Sequence, residues 1–220
     1  MKRILLFGLC LITPPAIQGQ KGGGAGDPAL PGRWAAGISL GSWSFGDAST
    51  GTDGEGNRLR FRPYRPTMWG LAAHIGRSGF RAGLAARVGD PGLAAQGEEV
   101  SESGLVSGPL LVYDGAYRLV ALTVMVSERI ARVHGGPSIR GVLGFGLERW
   151  TPAGESGKTI GAALAGVGLE IQLSRRWVGT VGGEVGYTPA SPFQGRHLPS
   201  GFRTTGTWRR ALTAALERRF

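Results

Sequence analysis

The sequence predicts an all-β protein, an eight-stranded antiparallel up-and-down barrel whose strands cross a membrane. Three observations predict it. Apolar residues recur at every second position through eight segments, short and long links join those segments, and most of the charge within them falls on the face opposite the apolar one. A period of two is the mark of a strand with two unlike faces.

The segments run roughly over 33–46, 66–76, 79–89, 116–127, 137–150, 159–173, 177–187 and 207–220. Their lengths suit tilted membrane strands of about 9–11 residues with overhangs. The first carries Trp34, Ala36, Ile38 and Leu40 on one parity, and the second Trp69, Leu71, Ala73 and Ile75. A tight turn at 76–79 (GRSG) leads to Phe80, Ala82, Leu84, Ala86 and Val88. The fourth offers Val120, Leu122, Val124 and Val126, and the fifth, after a moderate link at 128–136, Ile139, Leu143, Phe145 and Leu147. The sixth alternates from Ala163 through Val167 and Leu169 to Leu173, and a second tight turn (SRR, 174–176) leads to Val181 and Val185. The last is WRRALTAALERRF at 208–220, with Leu212, Ala214 and Leu216 in step and Phe220 at its end. The remaining links, about 47–65, 90–115, 151–158 and 188–206, are long and rich in Gly, Ser, Pro, Asp and Glu. Short turns on one side and long loops on the other characterise bacterial outer-membrane barrels.

The apolar parity is expected to face lipid. Its charges, Arg118, Arg210 and Arg218, fall near strand ends, where a long side chain can reach the interface. The opposite parity carries Gly, Ala, Ser and Thr with Arg81, Arg87, Arg140 and Arg209, and with Glu148, Glu170, Glu184 and Glu217. An eight-stranded lumen is just wide enough for side chains to fill. The eight charges are therefore expected to form a paired network that plugs the lumen, because an unpaired buried charge costs several kcal/mol. Aromatic residues gather near strand ends: Trp34, Phe80, Trp177 and Phe220 at one end, and Trp43, Phe45, Tyr117, Trp150, Tyr187 and Trp208 at the other. Two interfacial girdles are expected from them.

The N-terminus reads as an export signal. Lys2 and Arg3 precede an apolar stretch at 4–12, Pro14 and Pro15 break it, and a cleavage point after Gly19 has Ile17 upstream. The expected organisation is a signal peptide at 1–19, a flexible leader at 20–32 and a barrel at 33–220. Cys10, the single cysteine, falls inside the signal, which leaves the exported chain without thiols or disulfides. The formal charge of +10 becomes +8 once Lys2 and Arg3 are subtracted. Export makes anionic head groups or surface polysaccharide better partners for that charge than nucleic acid. Glycine reaches 40 of 220 residues, far above the usual ~7%, interleaved with apolar residues as tight strand packing requires.

Catalytic patterns are wanting. His74, His134 and His197 share no metal-ligand spacing, and no G-x-S-x-G elbow occurs. His197 with Ser191 or Ser200 makes no recognisable motif, and GESGKT at 154–159 fails the phosphate-loop spacing. Glu98, Glu99, Ser101, Glu102 and Ser103 read as a solvated loop. No enzyme activity, cofactor or metal is expected. The sharpest local feature is Arg58, Arg60, Arg62 and Arg65 alternating with Leu59, Phe61 and Tyr64. It reads either as a solvated hairpin extension or as a strand above the membrane whose guanidinium groups grip phosphate or carboxylate of surface glycolipid.

With these features in place the chain resembles the small eight-stranded outer-membrane barrels of the OmpA/OmpX type, across essentially the whole length after the signal. The resemblance implies residence in the bacterial outer membrane, most simply as a monomer. It also implies a structural or surface-interaction role through long extracellular loops. In such barrels the final strand carries the signal read by the insertion machinery; Leu212, Ala214, Leu216 and Phe220 match it, and Arg218 departs from it. Two other readings stay open: an outer-membrane lipid-modifying enzyme, and a soluble exported lipocalin-like binder of a small ligand. The last predicts an apolar interior and a polar exterior.

Overall fold

The structure is a computed structural model. It describes residues 34–52, 56–76, 79–101, 104–133, 136–193 and 201–220, with the backbone alone described at 98–101 and 104–110. The expected signal peptide and leader, with Lys2, Arg3 and Cys10, lie outside the described residues, as do Glu102, Ser103, His134, His197 and Ser200.

Among the described residues thirteen strands follow one another: β1 (Trp34–Phe45), β2 (Ser49–Thr52), β3 (Arg58–Tyr64), β4 (Thr67–Gly76), β5 (Phe80–Gly89), β6 (Gly92–Ser101), β7 (Gly104–Tyr113), β8 (Tyr117–Arg132), β9 (Ser138–Pro152), β10 (Lys158–Gln172), β11 (Trp177–Thr188), β12 (Arg203–Thr204) and β13 (Thr207–Arg219). Eight of them close a barrel in the order β1-β13-β11-β10-β9-β8-β5-β4. They are the eight segments that the alternation marks out, and every pairing is antiparallel. Closure comes where β1 meets β13, in continuous register from Ala35 opposite Arg219 to Phe45 opposite Arg209. At that seam the Phe220 N–H donates to the Trp34 carbonyl (3.0 Å), and the two rings stack at 4.0 Å.

The faces divide as the parity requires. Phe145 is 72% exposed and Leu212 73%, on the outside, whereas Glu148 is 1% exposed, inside. This is the reverse of a lipocalin-like binder, whose interior would be the apolar side.

Three expectations need correction. Trp43, Phe45, Tyr117 and Trp150 do not belong to an interfacial girdle; all four are buried inside the barrel. Position along a strand put them near its end, but their parity is that of the lumen, and period two decides direction. Outside, at that same far end, stand Trp69, Tyr187 and Trp208, the last two with ring centroids 4.8 Å apart. Secondly, 151–158 is no long loop: β9 and β10 run on until a tight turn joins them, with Gly154 at φ 77° and the Glu155 N–H on the Pro152 carbonyl. Thirdly, β8 passes its expected end at 127 and reaches Arg132.

The three remaining long links hold strands of their own. They form a five-stranded sheet in the order β12-β2-β3-β6-β7. Each of these strands adjoins, along the chain, one of β13, β1, β4, β5 and β8, in that same order. The far rim of the barrel is thus continued as a wall over five of its eight strands, while β9 and β10 turn back near the rim. Below the wall an apolar cluster fills the mouth, with Trp43, Phe45, Met68, Tyr117, Leu119, Trp150 and Phe193 at its centre.

Candidate functional site

The lumen holds two layers of charge. Near the end where β1 begins and β13 ends, Glu170 is the hub. Its carboxylate receives Arg81 at 2.5 Å and Arg140 at 3.3 Å, has Arg219 at 3.9 Å, and accepts from the Ser138 hydroxyl at 3.2 Å. Glu217 sits beside it, 3.0 Å from His74 Nε2 and 3.8 Å from Arg81. Arg219 also donates to the Gln172 side-chain oxygen, and Arg140 to the carbonyls of Gly79 and Ser127.

The far layer is built of separate pairs. Arg87 gives two hydrogen bonds to Glu184, both of 2.6 Å, in the fork geometry that makes an arginine–carboxylate pair strong. Arg209 contacts Glu148, whose second oxygen accepts from the Trp150 indole N–H at 3.2 Å. The Arg209 guanidinium lies 4.3 Å from the Trp43 ring and that of Arg87 5.8 Å, so aromatic faces replace water around both cations. Small residues separate the layers: Gly83 and Ala85 follow Arg81 along β5 before Arg87, on the same parity.

Glycine makes room for this chemistry. Gly70 stands opposite Arg87, Gly168 opposite Arg140, Gly186 opposite Arg209, Gly166 opposite Glu184 and Gly37 opposite Glu217. A Cβ on Gly186 would come within 2.6 Å of Arg209 Nε, and one on Gly37 within 2.7 Å of Glu217 Cγ. In so narrow a lumen a long charged side chain needs an empty place on the neighbouring strand.

All eight charges named from the sequence are therefore inside and in contact with opposite charge. Three members are additions, the first being Arg129, opposite Arg140 on the inward parity of β8. Arg219 shares the parity of Arg209 and Glu217, which could have revealed it; His74, on the inward parity of β4 beside the small Ala72 and Gly76, abuts Glu217.

Above the far rim, Arg58, Arg60 and Arg62 share one face of β3 with Tyr64. Phe61, on the other face, packs toward the apolar cluster and lies 5.3 Å from Phe202. The arginine face accordingly points away from the barrel mouth. Arg60 is held at 3.2 Å by Asp47, and Arg65 stands beyond the strand end, its guanidinium 5.9 Å from the Tyr64 ring. Leu212, Ala214, Leu216 and Phe220 all lie on the exposed outer face, with the Arg218 guanidinium 5.0 Å from the Phe220 ring. Ser191 is buried and structural, its carbonyl taking the Lys158 ammonium at 2.9 Å and its hydroxyl the Phe193 N–H. Among the described residues no three of His, Cys, Asp and Glu gather as metal ligands would.

The architecture is that of the small eight-stranded outer-membrane β-barrels. Among solved structures the chain is similar to Neisserial surface protein A (NspA), with a TM-score of 0.57 over 85% of this chain and 97% of that one, at 8% identity. It also matches OprG of Pseudomonas aeruginosa (TM-score 0.48, 10% identity, 86% and 96% covered) and the outer membrane protease OmpT of Escherichia coli (0.45, 12%, 85% and 96%). At such identities the likeness is one of fold. No family model matches the chain, and no curated protein matches it in sequence.

Proposed function

We propose that the protein is an integral outer-membrane barrel that conducts no ions, catalyses no reaction and serves as a rigid base for the wall standing over its outer rim. One observation carries this reading: the lumen is crossed by two layers of paired charge and stoppered at the outer mouth by the aromatic cluster around Trp43 and Trp150. What projects is the wall, and its outward face bears Arg58, Arg60 and Arg62, with Arg65 at the foot. Guanidinium groups in a row above a membrane surface suit the phosphates and carboxylates of surface glycolipid. The barrel works as a monomer in this reading, delivered by the outer-membrane insertion machinery through its last strand.

The test is electrical. In a planar bilayer at high salt the purified barrel should give no stepwise conductance, and discrete steps would sink the plugged lumen. Replacing Arg58, Arg62 and Arg65 together by glutamine should weaken glycolipid binding to the detergent-solubilised protein about tenfold while leaving its unfolding nearly unchanged, since Arg58 and Arg65 are exposed and Arg62 is only half-buried.

A further inference from the structure

The outside of the barrel is not evenly greasy. A cavity of about 690 Å³ opens on the lipid-facing side, across β8, β9, β10, β11 and β13. Two glycines shape it. Gly141 and Gly183 flank Val167 in cross-strand register, on the outward parity, where neighbouring positions carry leucine, valine or phenylalanine. The missing side chain at Gly183 leaves a trough beside Val167, floored by backbone and widened by the small Ala165, while Ile130 lies over Gly141, its Cδ1 3.0 Å from where a Cβ would stand, and walls the other side. Five strands at a spacing of about 4.8 Å give the trough a length near 19 Å, that of an extended acyl chain.

Each end of the trough carries charge, the Glu128 carboxylate beside Phe80 at one end and a cation at the other. Arg210 lines it, on the outward parity and two residues inside Trp208 along β13, so its side chain reaches the outer interface. Its cross-strand neighbours are Ser44 and Val185, so no carboxylate stands opposite it on either flanking strand. An apolar trough with a cation at its outer-leaflet end has the chemistry of a lipid whose head group bears phosphate.

We propose that this trough is a binding site for one phosphorylated glycolipid of the outer leaflet, an acyl chain lying past Val167 and a phosphate held by Arg210. The inference rests on the membrane-spanning reading and goes beyond it: it assigns a lipid to one side of the barrel, apart from the arginines of the wall. The volume falls in the range of about 300–1,000 Å³ usual for ligand sites.

Native mass spectrometry of the detergent-purified barrel, taken from outer membranes, tests it. The wild type should carry one phosphorylated glycolipid. Arg210→Gln removes the cation without touching the backbone. Gly183→Leu fills the trough, and a Cβ there meets nothing closer than the Ala211 carbonyl at 3.9 Å. Each change should lower occupancy about tenfold, and Arg210→Lys should restore most of it. Undiminished occupancy in Arg210→Gln would overturn the proposal, as would a bound phospholipid in place of glycolipid. Heat-modifiable gel migration separates the two layers of inference. A wild type that lacks it overturns the barrel reading itself; a heat-modifiable wild type without bound lipid overturns only the trough.

Discussion

The two charge layers of the lumen solve one problem in different ways. In the layer near the start of β1, Arg81, Arg140 and Arg219 share two carboxylates, Glu170 and Glu217, and Arg129 stands opposite Arg140 on the same inward parity, so positive charge is in excess by two. In the outer layer Arg87 and Arg209 are matched one to one by Glu184 and Glu148. Surroundings account for the difference. The outer pairs lie beneath the aromatic stopper, where a surplus charge would have no water and no partner. The layer near the start of β1 lies away from that stopper, where carbonyls of Gly79 and Ser127 and the side chain of Gln172 take up extra donors. A hub tolerates imbalance because its surplus can be shared; isolated pairs in an apolar setting cannot.

Substitutions can break that contrast, and the largest effect belongs to the hub. Glu170→Leu strands arginines that converge on a single carboxylate. It should cost stability at or above the ~3–5 kcal/mol typical of breaking a buried pair, read as a fall in the urea midpoint of the barrel refolded in lipid vesicles. Arg87→Met comes next, at about 3 kcal/mol, because it leaves Glu184 alone. The double change Arg87→Met with Glu184→Leu should recover most of that loss, since apolar replacement of an isolated pair is often neutral. Recovery of the same size in Glu170→Leu with Arg81→Met would erase the distinction between hub and pair. The smallest effect is expected of His74→Gln, which loses one contact to Glu217 and should cost about 1 kcal/mol in the same titration.

Much of this was legible in the alternation of single residues. Strand number, order and the inward direction of Arg81, Glu170 and Glu217 follow from period two, because a membrane strand has lipid on one side and neighbours on the other. The same rule, applied to Trp43 and Trp150, would have put them in the mouth; nearness to a strand end obscured it. The partition into two layers was hidden, for it depends on how far along neighbouring strands each charge falls, which register alone sets. The wall was hidden more deeply. β12 finds β2 from far along the chain, Arg203 opposite Thr50, and polar, glycine-rich sequence at 47–57 and 201–206 carries no apolar period to announce such a pairing. Only β3, with arginines alternating against Leu59 and Phe61, betrayed a strand beyond the membrane.

The seam between β1 and β13 has a temporal meaning. β1 meets β4 after a short stretch of chain, but its other edge waits for β13, with Ala35 opposite Arg219. Until then two edges stand open, and in hydrocarbon every unmade backbone bond costs several kcal/mol. Contacts so distant along the chain also form slowly. A growing polypeptide therefore has no stable halfway residence in the bilayer. Entry is an inspection for completeness, passed by the whole ring of eight strands together and refused to any smaller set.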